Sequence, residues 1–270
     1  MLPMFTKRDQ ELIEQVAERL RRCRSVFFIT GAGLSADSGL PTYRGVGGLY
    51  NQDTTEEGLP IEQIVSGQTM AENPKLAWKY ISRIEHTCRD ASYNRGHEVI
   101  AEMEKHFEKV CVLTQNIDGF HQAAGATNVI DIHGDYHDLL CSSPHCWYRT
   151  RVPDYSHLDI PPYCPRCHDI IRPAVVLFGE VLLKDRMEKL MQELHRDYDI
   201  VFSVGTTSIF PYISEPVRQA HRRQIPTVEI NPDLTEISDI VDYKIEATAA
   251  ATLDALWKRC QVALKPPDSE

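Results

Sequence analysis

The chain has 270 residues, with 39 acidic against 29 basic side chains and a formal charge of −10. That balance argues against nucleic acid or an anionic membrane as the main partner, and the length allows one large domain with a smaller insertion. No apolar run approaches the ~20 residues of a membrane span and the N-terminus (MLPMFTKRDQ) carries no cleavable apolar region, so a cytoplasmic protein is expected.

Leu12, Ile13, Val16, Ala17 and Leu20 recur at helical spacing between charged residues, so residues 8–24 are read as a helix. It delivers the chain into Val26 to Ile29, an apolar run typical of a buried parallel strand. The run stops at Thr30, and Gly31, Ala32 and Gly33 are too small to shield the backbone. Gly31 and Gly33 would let bare N–H groups approach a pyrophosphate, Ser35 can add a hydroxyl, and Asp37 can cap or reach toward a sugar hydroxyl. The third glycine, Gly39, comes late for G-x-G-x-x-G, so an ordinary strand-to-helix turn stays open beside a dinucleotide loop. Pro41, Tyr43 and Arg44 then add a rigid turn, an aromatic face and a cation.

Residues 45–70 break any period and read as a loop with short helical turns that closes over a ligand. Residues 74–89 and 94–108 read as helices, with Pro74 near the first position of one and Asn94 capping the other. Short apolar strands then alternate with polar or glycine-bearing loops, the signature of a parallel sheet. Val110 to Leu113 runs into Thr114-Gln115-Asn116-Ile117-Asp118, and Val129 to Ile132 into His133-Gly134. Ala174 to Phe178 runs into Gly179-Glu180, Ile200 to Val204 into Gly205-Thr206-Thr207-Ser208, and Thr227 to Ile230 into Asn231-Pro232-Asp233. Ligands of open α/β sheets sit beyond the strand carboxyl ends, so these loops can meet at one site. Ala250 to Leu264 closes the sheet as a helix, and residues 265–270 are a tail.

Residues 135–172 differ, being rich in Pro, Tyr, Arg and Cys. Cys141 with Cys146 and Cys164 with Cys167 form two knuckles of the spacing that gives a four-cysteine zinc site. A site filled by four protein ligands is structural, and it leaves no place for the adjacent His145 and His168. Cys23, Cys88, Cys111 and Cys260 are scattered and expected to be reduced thiols. For chemistry, His133 leads as a base, at a strand end before a flexible glycine. The plainer alternative is a histidine that only satisfies a backbone group. Gln115, Asn116 and Asp118 can hold a ribose and a carboxamide, or can simply form a polar turn.

The blocks Gly31 to Gly39, Pro41-Thr42-Tyr43-Arg44, Thr114 to Asp118, His133-Gly134, the four cysteines, Val176 to Glu180, Gly205 to Ser208 and Asn231-Pro232 resemble, in order, those of the sirtuins. The resemblance implies an NAD-dependent protein lysine deacylase with a Rossmann-like α/β domain, a parallel sheet with helices on both faces, and a small zinc-binding domain. The division it implies is 1–45, 90–134 and 173–264 for the NAD-binding domain, 46–89 for the cofactor loop and a helical insertion, and 135–172 for the zinc module. It places Gly31, Ala32, Gly33, Ser35, Asp37, Thr42, Tyr43 and Arg44 at the phosphate half of NAD. Gln115, Asn116, Ile117 and Asp118 fall at the nicotinamide ribose and carboxamide. Gly205, Thr206, Thr207, Asn231, Pro232, Asp233 and Ala249 line the adenosine. Acyl-lysine segments of other proteins would pair as a strand beside Val176, Phe178, Gly179 and Glu180. His133, with Asn116, is the implied catalytic residue: it takes a proton from a ribose hydroxyl after the acyl oxygen has displaced nicotinamide. Water finishes the cycle, giving free lysine, nicotinamide and O-acyl-ADP-ribose.

Two departures from the family stand out. Pro211 arrives one residue early, which unsettles the adenosine contacts after Thr207. Tyr80 and Arg83 have the Tyr-x-x-Arg spacing of members that remove succinyl, malonyl or glutaryl groups, and Thr42 resembles the same subgroup. Counted from Asn73-Pro74, however, the pair sits one residue early, a rotation of about 100° on a helix. Deacetylation and acidic deacylation both stay open. An NAD hydrolase or mono-ADP-ribosyltransferase on the same scaffold is the alternative reading, and retention of His133 and Phe178-Gly179-Glu180 favours the deacylase.

Overall fold

In the computed structural model the described residues are 5–41 and 55–262. Helix α1 (Lys7–Leu20) opens on a capping box, with the Thr6 side chain accepting from the Asp9 amide and Asp9 accepting from the Thr6 amide. Strand β1 (Ser25–Thr30) follows, buried from Val26 onward. Then come α2 (Ala32–Ala36), α3 (Ile61–Ile64), α4 (Gly67–Glu72), α5 (Pro74–Cys88) and α6 (Arg95–Met103). Next are β2 (Lys109–Thr114), α7 (Phe120–Ala123), β3 (Val129–Asp131), β4 (Gly134–Cys141), β5 (Arg149–Arg151) and β6 (Ile171–Val175). The chain ends with α8 (Lys184–Leu194), β7 (Ile200–Val204), α9 (Pro211–Arg222), β8 (Thr227–Ile230), β9 (Tyr243–Ile245) and α10 (Ala249–Val262).

Six strands form one parallel sheet in the order β3-β2-β1-β7-β8-β9. Alternation along β1 sends Val26 and Phe28 to one face and Phe27 and Ile29 to the other, and both faces are covered. On the first, Phe28 stacks on Phe202 at 4.9 Å and packs with Ile13, Val16 and Leu20 of α1 and Leu253 and Trp257 of α10. On the second, Phe27 and Ile29 pack with Leu190 of α8 and Ile213 and Val217 of α9. The chain builds outward from β1 through β2 and β3, then returns to the other side of β1 with β7, β8 and β9. The connections after β1 and β7 therefore diverge, toward β2 on one side and β8 on the other, at the strand carboxyl ends where ligands of such sheets bind.

A second sheet, β5-β4-β6, is antiparallel. It shares a separate core with residues 61–81, in which Trp78 of α5 packs against Tyr155 and donates through Nε1 to Ile171 O at 2.9 Å. The segment Ala174 to Phe178, read from sequence as a strand of the parallel sheet, is corrected here. Its first two residues end β6 of the small sheet, and Phe178 makes only an isolated bridge to Ser66. An apolar run of five carries no sign of its partner, and the return path from the cysteine knuckles decides the pairing.

Candidate functional site

The loops after β1 and β7 interlock so closely that only glycine fits. Gly33 donates its amide to Gly205 O at 2.8 Å, and Gly31 donates to Val204 O at 3.0 Å. A Cβ on Gly33 would stand 2.7 Å from the Gly205 Cα, and one on Gly31 2.8 Å from Gly205 O. Gly205 itself has φ +61°, and its Cβ would meet the Leu34 amide nitrogen at 2.5 Å. The amides of Gly31 and Gly33, expected to face a pyrophosphate, are thus engaged by the neighbouring strand end. Ala32 opens α2, and Asn94, the cap of α6, steadies this turn by donating to Leu34 O at 2.7 Å and Ser38 Oγ at 2.9 Å. Asp37 acts as the cap among its two expected roles, accepting from the Ala250 amide at 2.7 Å beside Ala249, where α10 begins. Thr42, Tyr43 and Arg44 lie outside the described residues.

Beneath the loop lies a polar cluster. Ser35 Oγ donates to Asp118 Oδ2 at 2.6 Å and accepts from Asn116 Nδ2 at 2.9 Å, while Asn116 also donates to Gly31 O at 3.1 Å. Burial pushes the Asp118 carboxyl up, against the donors from Ser35 and the Phe120 amide. Gln115 Nε2 donates to Thr206 Oγ1 at 2.7 Å, which ties the end of β2 to that of β7. Asn231 Nδ2 donates to Thr206 O at 3.1 Å, and Asn231 Oδ1 accepts from the Asp233 amide. Thr207, Pro232 and Asp233 are exposed at the rim, and Ile117 leans toward the second core. Lys244 braces the Asn231 loop by donating to Asn231 O and Asp233 O at 2.6 and 2.7 Å. Nothing in the sequence around Lys244 signalled that role.

His133 sits where β3 hands over to β4. Its Nδ1 lies 2.9 Å from Gln115 O, and a carbonyl can only accept, so Nδ1 carries the proton. Nε2 is then the lone-pair nitrogen, and it accepts from the Tyr212 hydroxyl at 2.8 Å. Burial holds the imidazole below its ordinary value, opposed by the bond to Gln115. Tyr212, which sequence reasoning passed over, is the second residue of α9. The signal that could have found it is the early Pro211, which starts a helix with an aromatic residue in its first turn.

Val176 donates its amide to His133 O at 2.8 Å, so the segment before Glu180 leaves directly from the base. The Phe178 amide donates to Val65 O and its carbonyl accepts from the Gly67 amide, and the Leu177 amide donates to Glu180 Oε2. Gly179 turns with φ +80°, and Glu180 pairs with Arg172 at 2.8 Å. Every amide from Val176 to Phe178 therefore has a partner within the chain. Tyr80 is buried and its hydroxyl donates to Glu57, while Arg83 is 51% exposed in its side chain and pairs with Glu56 at 3.0 Å. This pair is brought to its own acidic residues.

The four cysteines come together as expected. All four Sγ atoms lie within 4.8 Å of one another, with Cys141 and Cys167 at 3.4 Å and Cys146 and Cys164 at 3.6 Å. A tetrahedron of Zn–S bonds near ~2.3 Å has edges of about 3.8 Å, so the donor set fits zinc. The amides of Ser143 and Arg166 point at Cys141 and Cys164 Sγ at 3.4 Å, as thiolate ligands require.

Comparison with known proteins agrees with this geometry. The profile of the Sir2 family matches residues 31–210. NAD-dependent protein deacylase 2 of Pseudomonas aeruginosa is 47% identical over 240 residues, covering 88% of this chain and 93% of that protein. NAD-dependent protein deacylase 1 of Archaeoglobus fulgidus is 33% identical over 257 residues, covering 95% and 99%. Among solved structures, a Sir2 homologue in complex with NAD superposes with a TM-score of 0.81 at 32% identity, covering 97% of this chain and 98% of that one.

Proposed function

The chain belongs to the Sir2 family, and from that premise we propose that it removes acyl groups from lysines of other proteins, consuming NAD. His133 carries the reading: a neutral imidazole at a strand end, its Nδ1–H fixed on Gln115 O and its Nε2 lone pair left to accept from a hydroxyl, in this structure that of Tyr212. The crevice suits a nucleotide, because Asn116, Asp118, Thr206 and Asn231 are only 7%, 8%, 4% and 8% exposed yet sit at strand ends. The names of the relatives and the NAD-bound neighbour support the same co-substrate.

In this reading Gln115, Asn116, Ile117 and Asp118 hold the nicotinamide ribose and carboxamide. Gly205, Thr206, Thr207, Asn231, Pro232, Asp233 and Ala249 line the adenosine half, and Ala32, Ser35, Thr42, Tyr43 and Arg44 the phosphates. Bound NAD supplies an electrophilic ribose carbon, C1′, as nicotinamide leaves. His133 Nε2 takes the proton of a ribose hydroxyl, and Asp118 and Asn116 keep that ribose oriented. The acyl-lysine enters beside Val176 to Glu180, one water is consumed in releasing the lysine, and the products are free lysine, nicotinamide and O-acyl-ADP-ribose. Cys141, Cys146, Cys164 and Cys167 hold one structural zinc. Neutral acyl groups are favoured over succinyl and malonyl, because Arg83 is already engaged by Glu56. Among the described residues no helix is long and apolar enough to cross a membrane, and we place the enzyme in the cytoplasm.

The test incubates the protein with NAD and acetyl-, succinyl- and malonyl-lysine peptides and follows free lysine and O-acyl-ADP-ribose by mass. His133→Ala is expected to abolish turnover with the fold intact. Turnover at the wild-type rate in that variant contradicts the role of His133.

A further inference from the structure

We propose that Tyr212 is a positioning residue that latches the base: its hydroxyl occupies the Nε2 lone pair of His133 until a substrate hydroxyl displaces it. The inference rests on the deacylase reading for what displaces the phenol, and on geometry for the latch itself. The bond is 2.8 Å long and its polarity is fixed, since Nδ1 is spent on Gln115 O and the phenol must be the donor. Burial, which pushes Tyr212 up to about 12, keeps that donor protonated throughout the working range.

The phenol is held in place from several sides. Two left-handed residues, Gly205 and Ser208 (φ +61° and +57°), turn the chain out of β7, and Pro211 then starts α9. Phe210 stacks on the Tyr212 ring at 5.5 Å and 14°, and both rings meet the imidazole edge to face, at 6.3 and 6.0 Å. Tyr212 and Phe210 thus form an aromatic wall against one side of His133, with the hydroxyl as its single polar contact to the ring. The wall stays partly open to solvent, Phe210 being 46% exposed and Tyr212 only partly buried, so a hydroxyl arriving from solvent can compete for Nε2.

Charged groups on the surrounding elements already have partners. Asp131 of β3 pairs with Arg186 of α8 at 2.7 Å. Asp135 of β4 pairs with His137 and Arg151 at 2.8 and 2.9 Å, and Asp118 accepts from Ser35. None of these depends on the Tyr212 hydroxyl, so its removal isolates one interaction. A donor to Nε2 stabilises neutral imidazole only, so losing it makes His133 easier to protonate.

The experiment compares wild type with Tyr212→Phe, which keeps the ring stack. In the free protein, the His133 imidazole is titrated by NMR, its signal assigned by its loss in His133→Ala. Its midpoint is expected to rise by about half to one pH unit in Tyr212→Phe, the size of one ordinary hydrogen bond. The acid limb of kcat/KM, which reports the free enzyme, moves up with it, whereas the acid limb of kcat coincides in the two proteins because the phenol is already displaced. Coincident His133 titrations in the free proteins overturn the latch. Equal movement of both kinetic limbs overturns its displacement by substrate. If wild type proves unable to deacylate, the reading of function fails, and the NMR titration still decides the latch.

Discussion

Ser35→Ala probes the polar cluster under the glycine loop, because one hydroxyl there serves two partners at once. Ser35 is 3% exposed; it donates to Asp118 at 2.6 Å and accepts from Asn116 at 2.9 Å. Among the described residues, removing the hydroxyl leaves the Asp118 carboxyl with the Phe120 amide and Asn116 Nδ2 with Gly31 O. A lost hydrogen bond to a charged group costs about 1.5–3 kcal/mol and a neutral one about 0.5–1.5 kcal/mol, so together about 3 kcal/mol is expected. For a protein of this size that is roughly a 6–12 °C fall in Tm. Calorimetry of both proteins without ligand reads it. NAD affinity, measured in parallel, is expected to fall as well, since Asn116 and Asp118 lose their fixed orientation. A Tm within about 2 °C of wild type would refute the reasoning, because it would mean that water replaces the hydroxyl without penalty.

Three further outcomes follow from the same structure. Cys141 and Cys164 are members of the second core, at 5% and 0% exposure, so Cys141→Ser or chelation should strip one zinc per chain and lower Tm by roughly 10 °C or more. A folded, metal-free protein that has lost only catalysis contradicts the structural assignment. Burial pulls His97 down to about 4 and His121 well below 6.5, so both stay neutral in the fold while the unfolded chain takes up protons. Stability is therefore intact above pH ~6.5 and falls toward pH ~4, with His97 alone removing about 2 kcal/mol by pH 5. Equal urea stabilities at pH 7.5 and 5 argue against that burial. Arg83→Met should leave Tm and deacetylation unchanged, because the Arg83 pair with Glu56 is solvent-exposed. Selective loss of desuccinylation in that variant would instead place the carboxylate clamp at Arg83.

The parallel sheet was legible because each of its strands but the short β9 is an apolar run that ends in glycine or polar residues, and that pattern follows from burial on both faces. The four cysteines were legible because ligand spacing is local. Partners distant in sequence were hidden. Gly31 and Gly33 signalled a close approach, yet only the fold reveals that Gly205 makes it. Asp37 looked equally suited to a sugar or a cap, and the choice lies with an amide 213 residues away. Tyr80 and Arg83 carried a suggestive spacing, but helix phase and the acids Glu56 and Glu57 decide what they face. Tyr212 was legible only as an aromatic residue in the first turn after the early Pro211, since its meeting with His133 depends on which end of the sheet β3 reaches.

The central claim is that His133 and the strand-end cluster cleave NAD in the service of lysine deacylation. Its most direct measurement is nicotinamide release with and without an acetyl-lysine peptide. The account predicts release that depends on the acylated peptide and yields one free lysine and one O-acyl-ADP-ribose for each NAD consumed. Equal release without any acylated peptide would contradict it and point to an NAD hydrolase.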